Sequence, residues 1–246
     1  MTDGRVMLVT GGTGSIGAAV AKEAAAQGWA VVVHGRSEAK AEALAAGLGD
    51  DAAWVARDTG DRDAAPAIVA EAAAKFGRLD AVVDCVSTGP AGYRLTGRFA
   101  DIQPEGVAAF YDLSAAWFQR LAHAAYPHLA RQGGTLVAFV SDAGRFAAPN
   151  QTTVGAARAA TIGFVRNLAV EAARDGIRAH CISPSYVRES RTAELMGSSR
   201  METAGKRAGL GLPSPADIAP VTVFLCGDGA AKITGQVISV NGGLNA

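Results

Sequence analysis

Val6-Met7-Leu8-Val9-Thr10-Gly11-Gly12-Thr13-Gly14-Ser15-Ile16-Gly17 is the stretch whose reading decides the fold. A short run dense in Val and Leu stops at glycine, and an Ala-rich segment of helical spacing follows at 18–27. That order reads as strand, tight turn, helix. The glycines have separate tasks in such a unit. Gly11 turns the chain off the strand, Gly14 permits a close backbone approach, and Gly17 lets the helix lie tightly on the sheet. The N–H groups of Thr13, Ser15 and Ile16 then surround the helix start, where the dipole favours an anion. A glycine-rich turn is weak evidence alone, because Gly also marks ordinary turns. Set between a strand and a helix, it predicts a dinucleotide pyrophosphate site.

Outward from that unit, strand-like and helix-like segments alternate to the end of the chain. Further strands are expected at 30–34, 52–56, 81–86, 135–140, 177–182 and 237–240, with helical stretches near 38–48, 63–76, 104–131, 153–175 and 215–227. Short apolar runs separated by amphipathic helices imply a parallel sheet covered on both faces. The expected fold is therefore α/β, a Rossmann-type, doubly wound, seven-stranded parallel sheet in three α/β/α layers. No linker or repeat divides residues 1–246, which read as a single domain.

The 23 basic and 23 acidic side chains balance to a formal net charge of zero, so no electrostatic footprint for nucleic acid or an anionic membrane is present. No leader or bilayer-length apolar run is evident. The three cysteines, Cys85, Cys181 and Cys226, lie far apart in apolar runs and read as buried reduced thiols, which points to the cytoplasm. The four histidines show no metal-ligand spacing, and no metal site is expected.

The second strand runs into His34-Gly35-Arg36-Ser37. An acidic residue there would bind the adenosine ribose hydroxyls, whereas an Arg accommodates a 2′-phosphate. Arg36 and Ser37 offer a guanidinium and a hydroxyl, so NADP(H) is favoured over NAD(H). Asp58, in Arg57-Asp58-Thr59 after the third strand, is placed to accept from an adenine amino group.

With these residues go Ser141-Asp-Ala-Gly144, Ile182-Ser-Pro184-Ser-Tyr-Val187, Pro215-Ala-Asp-Ile-Ala and Ile233-Thr-Gly-Gln-Val-Ile-Ser-Val-Asn241-Gly-Gly243. Together they make the chain resemble the short-chain dehydrogenase/reductase family over nearly its full length. The resemblance implies a nicotinamide cofactor contacted by Gly11, Thr13, Gly14, Ser15, Ile16, Gly17, Arg36, Ser37, Asp58 and Thr59, and further by Val86, Ser87, Arg158, Pro184 and Val187. It also implies a homodimer or homotetramer acting on a small molecule, with Phe110, Trp117, Phe118 and Leu121 on a helix face shared between the sheet and a partner subunit.

The catalytic signature departs from that family. Asp84-Cys85-Val86-Ser87 stands where the family has Asn-Asn-Ala-Gly, Asp112 where it has an Asn, and Ser185 where it has a Gly. Its Tyr-x-x-x-Lys pair is replaced by Val154 and Arg158. Residues four apart share a helix face, so the family's Tyr and Lys act together. Arg158 can still donate to ribose hydroxyls, whereas Val154 can neither give nor take a proton. Losing a positioned acid costs ~10²–10⁴-fold in rate, which leaves reduction possible but not by the usual route. Candidate replacements are Ser141, as a hydrogen-bond donor to a carbonyl, and Tyr186, the nearest phenol by topology. Ser87, Thr88 and Tyr93 lie on the loop after the fourth strand, and water or the substrate itself is a further source. Asp142 and Asp112 read as structural or solvated.

The weakly patterned stretch at 187–211 reads as a substrate lid. Tyr93, Phe146 and Tyr186 suggest a bulky, partly flat substrate such as a polyketide-type cyclic or aromatic ketone. Three classes of function stand open: an atypical NADPH-dependent ketoreductase, an inactive NADP(H)-binding sensor or scaffold, and a non-redox lyase, dehalogenase or isomerase. Halohydrin dehalogenases keep the Tyr and lose the glycine-rich turn; this chain does the reverse.

Overall fold

The computed structural model describes residues 4–86 and 92–245. Seven parallel strands form one sheet in the order β3-β2-β1-β4-β5-β6-β7. They are β1 (Val6–Thr10), β2 (Ala30–Gly35), β3 (Ala52–Ala56), β4 (Ala81–Asp84), β5 (Gly134–Phe139), β6 (Ile177–Ser183) and β7 (Val237–Ser239). The order reverses direction between β1 and β4, where Thr10 pairs with Asp84. In open parallel sheets that switch opens a crevice beyond the strand ends, and ligands bind there.

β1 and β2 are buried along their whole lengths. Buried on both faces, they read as continuous Val, Leu and Met rather than as an alternation. Two apolar cores follow, one on each face of the sheet. One face carries α1 (Ser15–Ala26), α2 (Glu38–Leu48) and α9 (Pro215–Cys226); the other carries α3 (Ala64–Phe76), α5 (Trp117–Leu129) and α6 (Thr152–Glu171). The doubly wound three-layer reading holds.

Two stretches differ from the sequence expectation. The single helix expected at 104–131 is instead α4 (Val107–Tyr111), a wide π-type turn (Asp112–Ala116), then α5. Ser114 sits in that turn with its hydroxyl donating to Phe110 O at 2.6 Å, competition of the kind that loosens a regular helical ladder. The weakly patterned 187–211 stretch contains two helices, α7 (Arg191–Met196) and α8 (Ser198–Arg207). Ser190 starts α7, its Oγ accepting from Ala193 N–H at 3.2 Å. Phe110, Trp117, Phe118 and Leu121 are all buried inside this chain. They belong to its own core, and none is left to face a partner subunit.

Candidate active site

The site begins where β1 ends. Gly11 has a φ of 65°, a left-handed conformation that favours glycine, and a Cβ there would lie 2.5 Å from Cys85 O on the neighbouring strand's exit. A Cβ on Gly17 would overlap Gly11 O, so the helix can approach the turn only because residue 17 has no side chain. Gly14 is different: it is exposed, and its nearest obstacle is Gly11 O at 3.3 Å. Its bareness leaves room outside the chain. Gly14 is the N-cap of α1, no side chain caps that helix, and its first turn holds no acidic residue. The first-turn N–H groups therefore face outward beside exposed Ser15, with half-buried Thr13 and Ile16 on either side. That cradle fits a pyrophosphate.

A residue that sequence reasoning passed over holds the cradle. Buried His34 accepts from Gly11 N–H at Nδ1 (3.3 Å) and contacts Arg57 O through Nε2 at 3.0 Å. Since Nδ1 accepts, Nε2 carries the proton. Burial lowers the His34 pKa below the usual histidine value, so the neutral ring is favoured. Gly12 N–H donates to His34 O at 2.8 Å, closing the link between turn and strand. A polar ring ending an otherwise apolar strand was the available signal.

Past β2, Gly35 makes room for Thr13, whose Cγ2 would lie 2.7 Å from a Cβ at residue 35. Arg36 and Ser37 are exposed at the strand exit, and Ser37 heads α2 without its hydroxyl capping the helix. Exposed Asp58 accepts from Gly60 N–H at 3.0 Å through Oδ1, while Thr59 is buried beside it. Ser87, Thr88 and the rest of 87–91 lie outside the described residues.

Across the switch point the chemistry changes. Asp84 closes β4 and is buried; it accepts from Thr10 Oγ1 (2.7 Å), Trp117 Nε1 (3.1 Å) and Val86 N–H (3.3 Å). Burial pushes its carboxyl up, and those hydrogen bonds with the charge of Arg158 pull it back. Arg158, on α6, donates from Nη1 to Phe139 O at 3.3 Å. Phe139 follows Ala138, the β5 partner of Asp84, so the two charges share one corner of the sheet. Desolvation lowers the Arg158 pKa and Asp84 opposes that shift.

Ser141 follows β5, its Oγ accepting from Ala143 N–H at 3.3 Å. The helix of Val154 and Arg158 packs directly on this turn. A Cβ on Gly155 would lie 2.5 Å from Ala143 O, and one on Gly144 would lie 2.7 Å from Arg158 Cβ. Ser141, Val154 and Arg158 are thus brought to one place. Val154 is half-buried and packs on the cluster of Leu95, Phe110 and Ala157, so its surroundings there are hydrocarbon. Pro184 and Val187 are buried at the exit of β6. Tyr186 packs on Ala204, Ala208, Leu212 and Leu244. Tyr93 lies over Gly106, where a Cβ would overlap it, and the Arg145 guanidinium lies over the Phe146 ring, 4.9 Å from its centroid. Asp112 pairs with Arg120 at 2.7 Å, and Asp142 is buried among hydrogen-bond donors, so neither faces a reacting centre as a lone carboxylate.

Among the described residues no cluster of three or more His, Cys, Asp or Glu is arranged to hold a metal ion, and no helix is long and apolar enough to cross a membrane.

Comparison with known proteins bears on the whole of this arrangement. The family described as enoyl-(acyl carrier protein) reductase matches residues 11–245. The short-chain reductase protein NovJ of Streptomyces niveus is 33% identical over 249 residues, covering 97% of this chain and 93% of that protein. Nodulation protein G of Rhizobium sp. (strain N33) is 30% identical over 242 residues, covering 98% and 97%. Among solved structures, the 3-ketoacyl-(acyl-carrier-protein) reductase of Brucella melitensis complexed with NADH superposes with a TM-score of 0.88 at 27% identity, covering 98% of both chains. The match runs through both the glycine cradle at the β1/β4 switch and the Ser141 turn beneath α6, and the chain belongs to the short-chain dehydrogenase/reductase family of oxidoreductases.

Proposed function

We propose that the protein is an NADP(H)-dependent ketoreductase whose proton comes from somewhere other than residue 154. The observation that carries this reading is the pairing of an uncapped phosphate cradle with Arg36 exposed at the exit of β2. The bound dinucleotide would supply the hydride. Gly11, Thr13, Gly14, Ser15, Ile16 and Gly17 would hold its pyrophosphate, Arg36 and Ser37 its 2′-phosphate, and Asp58 and Thr59 its adenine end. Val86, Ser87, Pro184 and Val187 would border the nicotinamide side. Arg158 would donate to ribose hydroxyls, its guanidinium held by Phe139 O and balanced by Asp84. Ser141 would donate to the substrate carbonyl, with its Oγ already oriented by Ala143 N–H. The half-buried Val107, Tyr111 and Val154, packed on the Leu95, Phe110 and Ala157 cluster, support a bulky cyclic or aromatic ketone as substrate, under a lid formed by the 187–211 region. Tyr186 is the phenol to test as alternative donor, although its contacts are those of a lid residue.

The test begins with the nucleotide. NADPH should bind more tightly than NADH, and Arg36→Ala should weaken NADPH by ~1–3 kcal/mol while sparing NADH. Equal losses for both would remove Arg36 from that role. A second reading, a nucleotide-binding sensor or scaffold, is favoured by the hydrocarbon surroundings of Val154. Tight NADPH binding with no reduction across a panel of cyclic and aromatic ketones would select it.

A further inference from the structure

Residue 142 is the unusual feature of the Ser141 turn. Its carboxylate is 4% exposed, and each of its oxygens is engaged: Ser183 Oγ donates to Oδ1 at 2.8 Å, and Asn241 Nδ2 and Asn245 Nδ2 donate to Oδ2 at 2.7 and 3.0 Å. A buried carboxylate is stable only when so surrounded. Two of the three donors come from one short segment, 241–245, which is itself internally bonded. Asn241 Nδ2 also donates to Asn245 O at 2.8 Å, and Asn241 Oδ1 accepts from Gly243 N–H at 3.1 Å.

The other side of that segment is attached elsewhere. Gly242 has a φ of 67° and no space for a side chain, since a Cβ would overlap Gly211 O. Its carbonyl accepts from Leu210 N–H at 3.0 Å. Leu244 is buried with Ala204 and Ala208 at the end of α8, and with Leu212 and Tyr186. The segment therefore has Asp142 on one side and the end of α8 on the other.

We infer that residues 241–245 form a strut that fixes the position of α8 relative to the Ser141 turn, with Asp142 as its anchor and as a positioning residue for Ser141. The turn depends on that anchor directly. Asp142 O accepts from Arg145 N–H (2.9 Å) and Phe146 N–H (2.8 Å), and the residue is chain neighbour to Ser141. Coupling of this kind runs through contiguous packed contacts, and each contact here is a named hydrogen bond or a buried methyl group. In a reductase that uses Ser141, the movement of α8 over the substrate and the aim of the Ser141 hydroxyl would be one adjustment. That consequence rests on the proposed function; the strut itself does not.

Amide hydrogen exchange on the protein without nucleotide or substrate tests the strut alone. Leu244→Ala should speed exchange at Ala143–Phe146 about tenfold, although Leu244 bonds to none of them. Asp142→Asn keeps the shape but turns one of the two acceptor oxygens into a donor and removes the charge, and should speed exchange at Leu210, whose N–H partner is Gly242 O. Ser183→Ala removes an Asp142 contact that comes from β6, and should leave Leu210 and α8 unchanged. Amides of β1 and β2 serve as the control for global destabilisation, and Asn245→Ala, which deletes a single hydrogen bond, stands in if Asp142→Asn does not fold. Changes confined to each variant's own neighbours would overturn the inference. Because no turnover is measured, failure of the strut and failure of the reductase reading give different signatures.

Discussion

The two halves of the crevice treat their special residues differently. On the β1–β3 side, the glycines are required by backbone alone: Gly11 and Gly17 would each overlap or crowd main-chain atoms if given a Cβ. On the β4–β6 side the same kind of requirement survives in Gly144 and Gly155, which let α6 lie on the Ser141 turn. The residue next to Gly155 on that helix is a valine, Val154, packed on Leu95, Phe110 and Ala157. Backbone packing fixes where α6 lies on the Ser141 turn and leaves the side chains along that helix free to differ. The architecture is thus fixed by where atoms cannot go, and the chemistry by a few side chains that can be exchanged without disturbing it. Fold and function are separately encoded here, and experiments can press on either half.

The sharpest break comes from the glycine half. Gly17→Ala forces a methyl group into Gly11 O and Gly12 Cα, both main chain, so α1 must lift off the turn. Overpacking against backbone destabilises by about 3 kcal/mol or more, and the cradle moves with the helix. Nucleotide affinity, followed by fluorescence titration, should fall more than about 100-fold. A variant that folds and binds normally would show that the close approach is not what the cradle needs.

Acid should expose a difference between the halves, since each contains a buried histidine. Burial lowers the His34 pKa, and burial together with the Arg178 charge lowers that of His180 to about 4. For a histidine whose folded value is depressed, the unfolded chain takes up the proton first as pH falls below about 6.5. Stability is therefore full above that pH and declines down to the folded value, about 4 for His180. His180 is fully buried, and the loss should reach at most about 3 kcal/mol. Urea midpoints between pH 7.5 and 4.5 would measure it, with His180→Gln flattening most of the slope. His34→Gln should flatten less, but it should also weaken nucleotide binding at neutral pH, because Gly11 N–H loses its acceptor. Identical behaviour of the two variants would erase the distinction between a histidine that serves the cradle and one that serves the core.

Much of this was legible in the chain. The apolar run before Gly11 and the alternation after it give seven strands whose expected positions agree with the structure to within two residues at their ends. Gly11 and Gly17 were readable because strand-turn-helix geometry demands them. His34 was not, since its role depends on Arg57 O, a main-chain atom brought over by the next strand. Asp142 was read as structural or solvated, and it is structural. Its donors come from the end of β6 and from residues 241–245, which no local pattern connects to it. Helices α7 and α8 were invisible as helices because α8, Ser198–Arg207, is mostly polar and buries only Ala204. The wide turn at Asp112–Ala116 depends on a hydroxyl bonding back to its own helix, which spacing does not reveal.

The catalytic half is tested by removing what it still has. If Ser141 donates to a developing oxyanion, Ser141→Ala should lower kcat by ~10–10³-fold with little change in nucleotide affinity. Tyr186→Phe isolates the phenol. A comparable drop in kcat with KM and nucleotide affinity unchanged would make Tyr186 the donor. A change in KM alone would leave it a lid residue packed on Ala204 and Leu244. If neither variant alters turnover, the proton comes from solvent or from the substrate.

The mildest change is the most informative about why the halves differ. Val154→Tyr with Arg158→Lys installs the pair that the sequence resemblance implies, on the helix that packs on the Ser141 turn. Val154 is half-buried at the margin of the Leu95, Phe110 and Ala157 cluster, so a phenol can lie partly outward; the fold should lose about 1 kcal/mol or less. The Lys keeps a cation opposite Asp84, though it gives up the planar fork that reaches Phe139 O. Thermal midpoints should therefore shift by only a few degrees. Turnover should not rise, because Val154 packs on the Leu95, Phe110 and Ala157 cluster, which already carries the Tyr111 ring, and a new ring would have to share that space. A rise of 100-fold or more would mean that the pocket had lacked nothing but its acid. In that case the β4–β6 half would be as tightly specified as the glycine half, and the contrast between them would reduce to one missing hydroxyl.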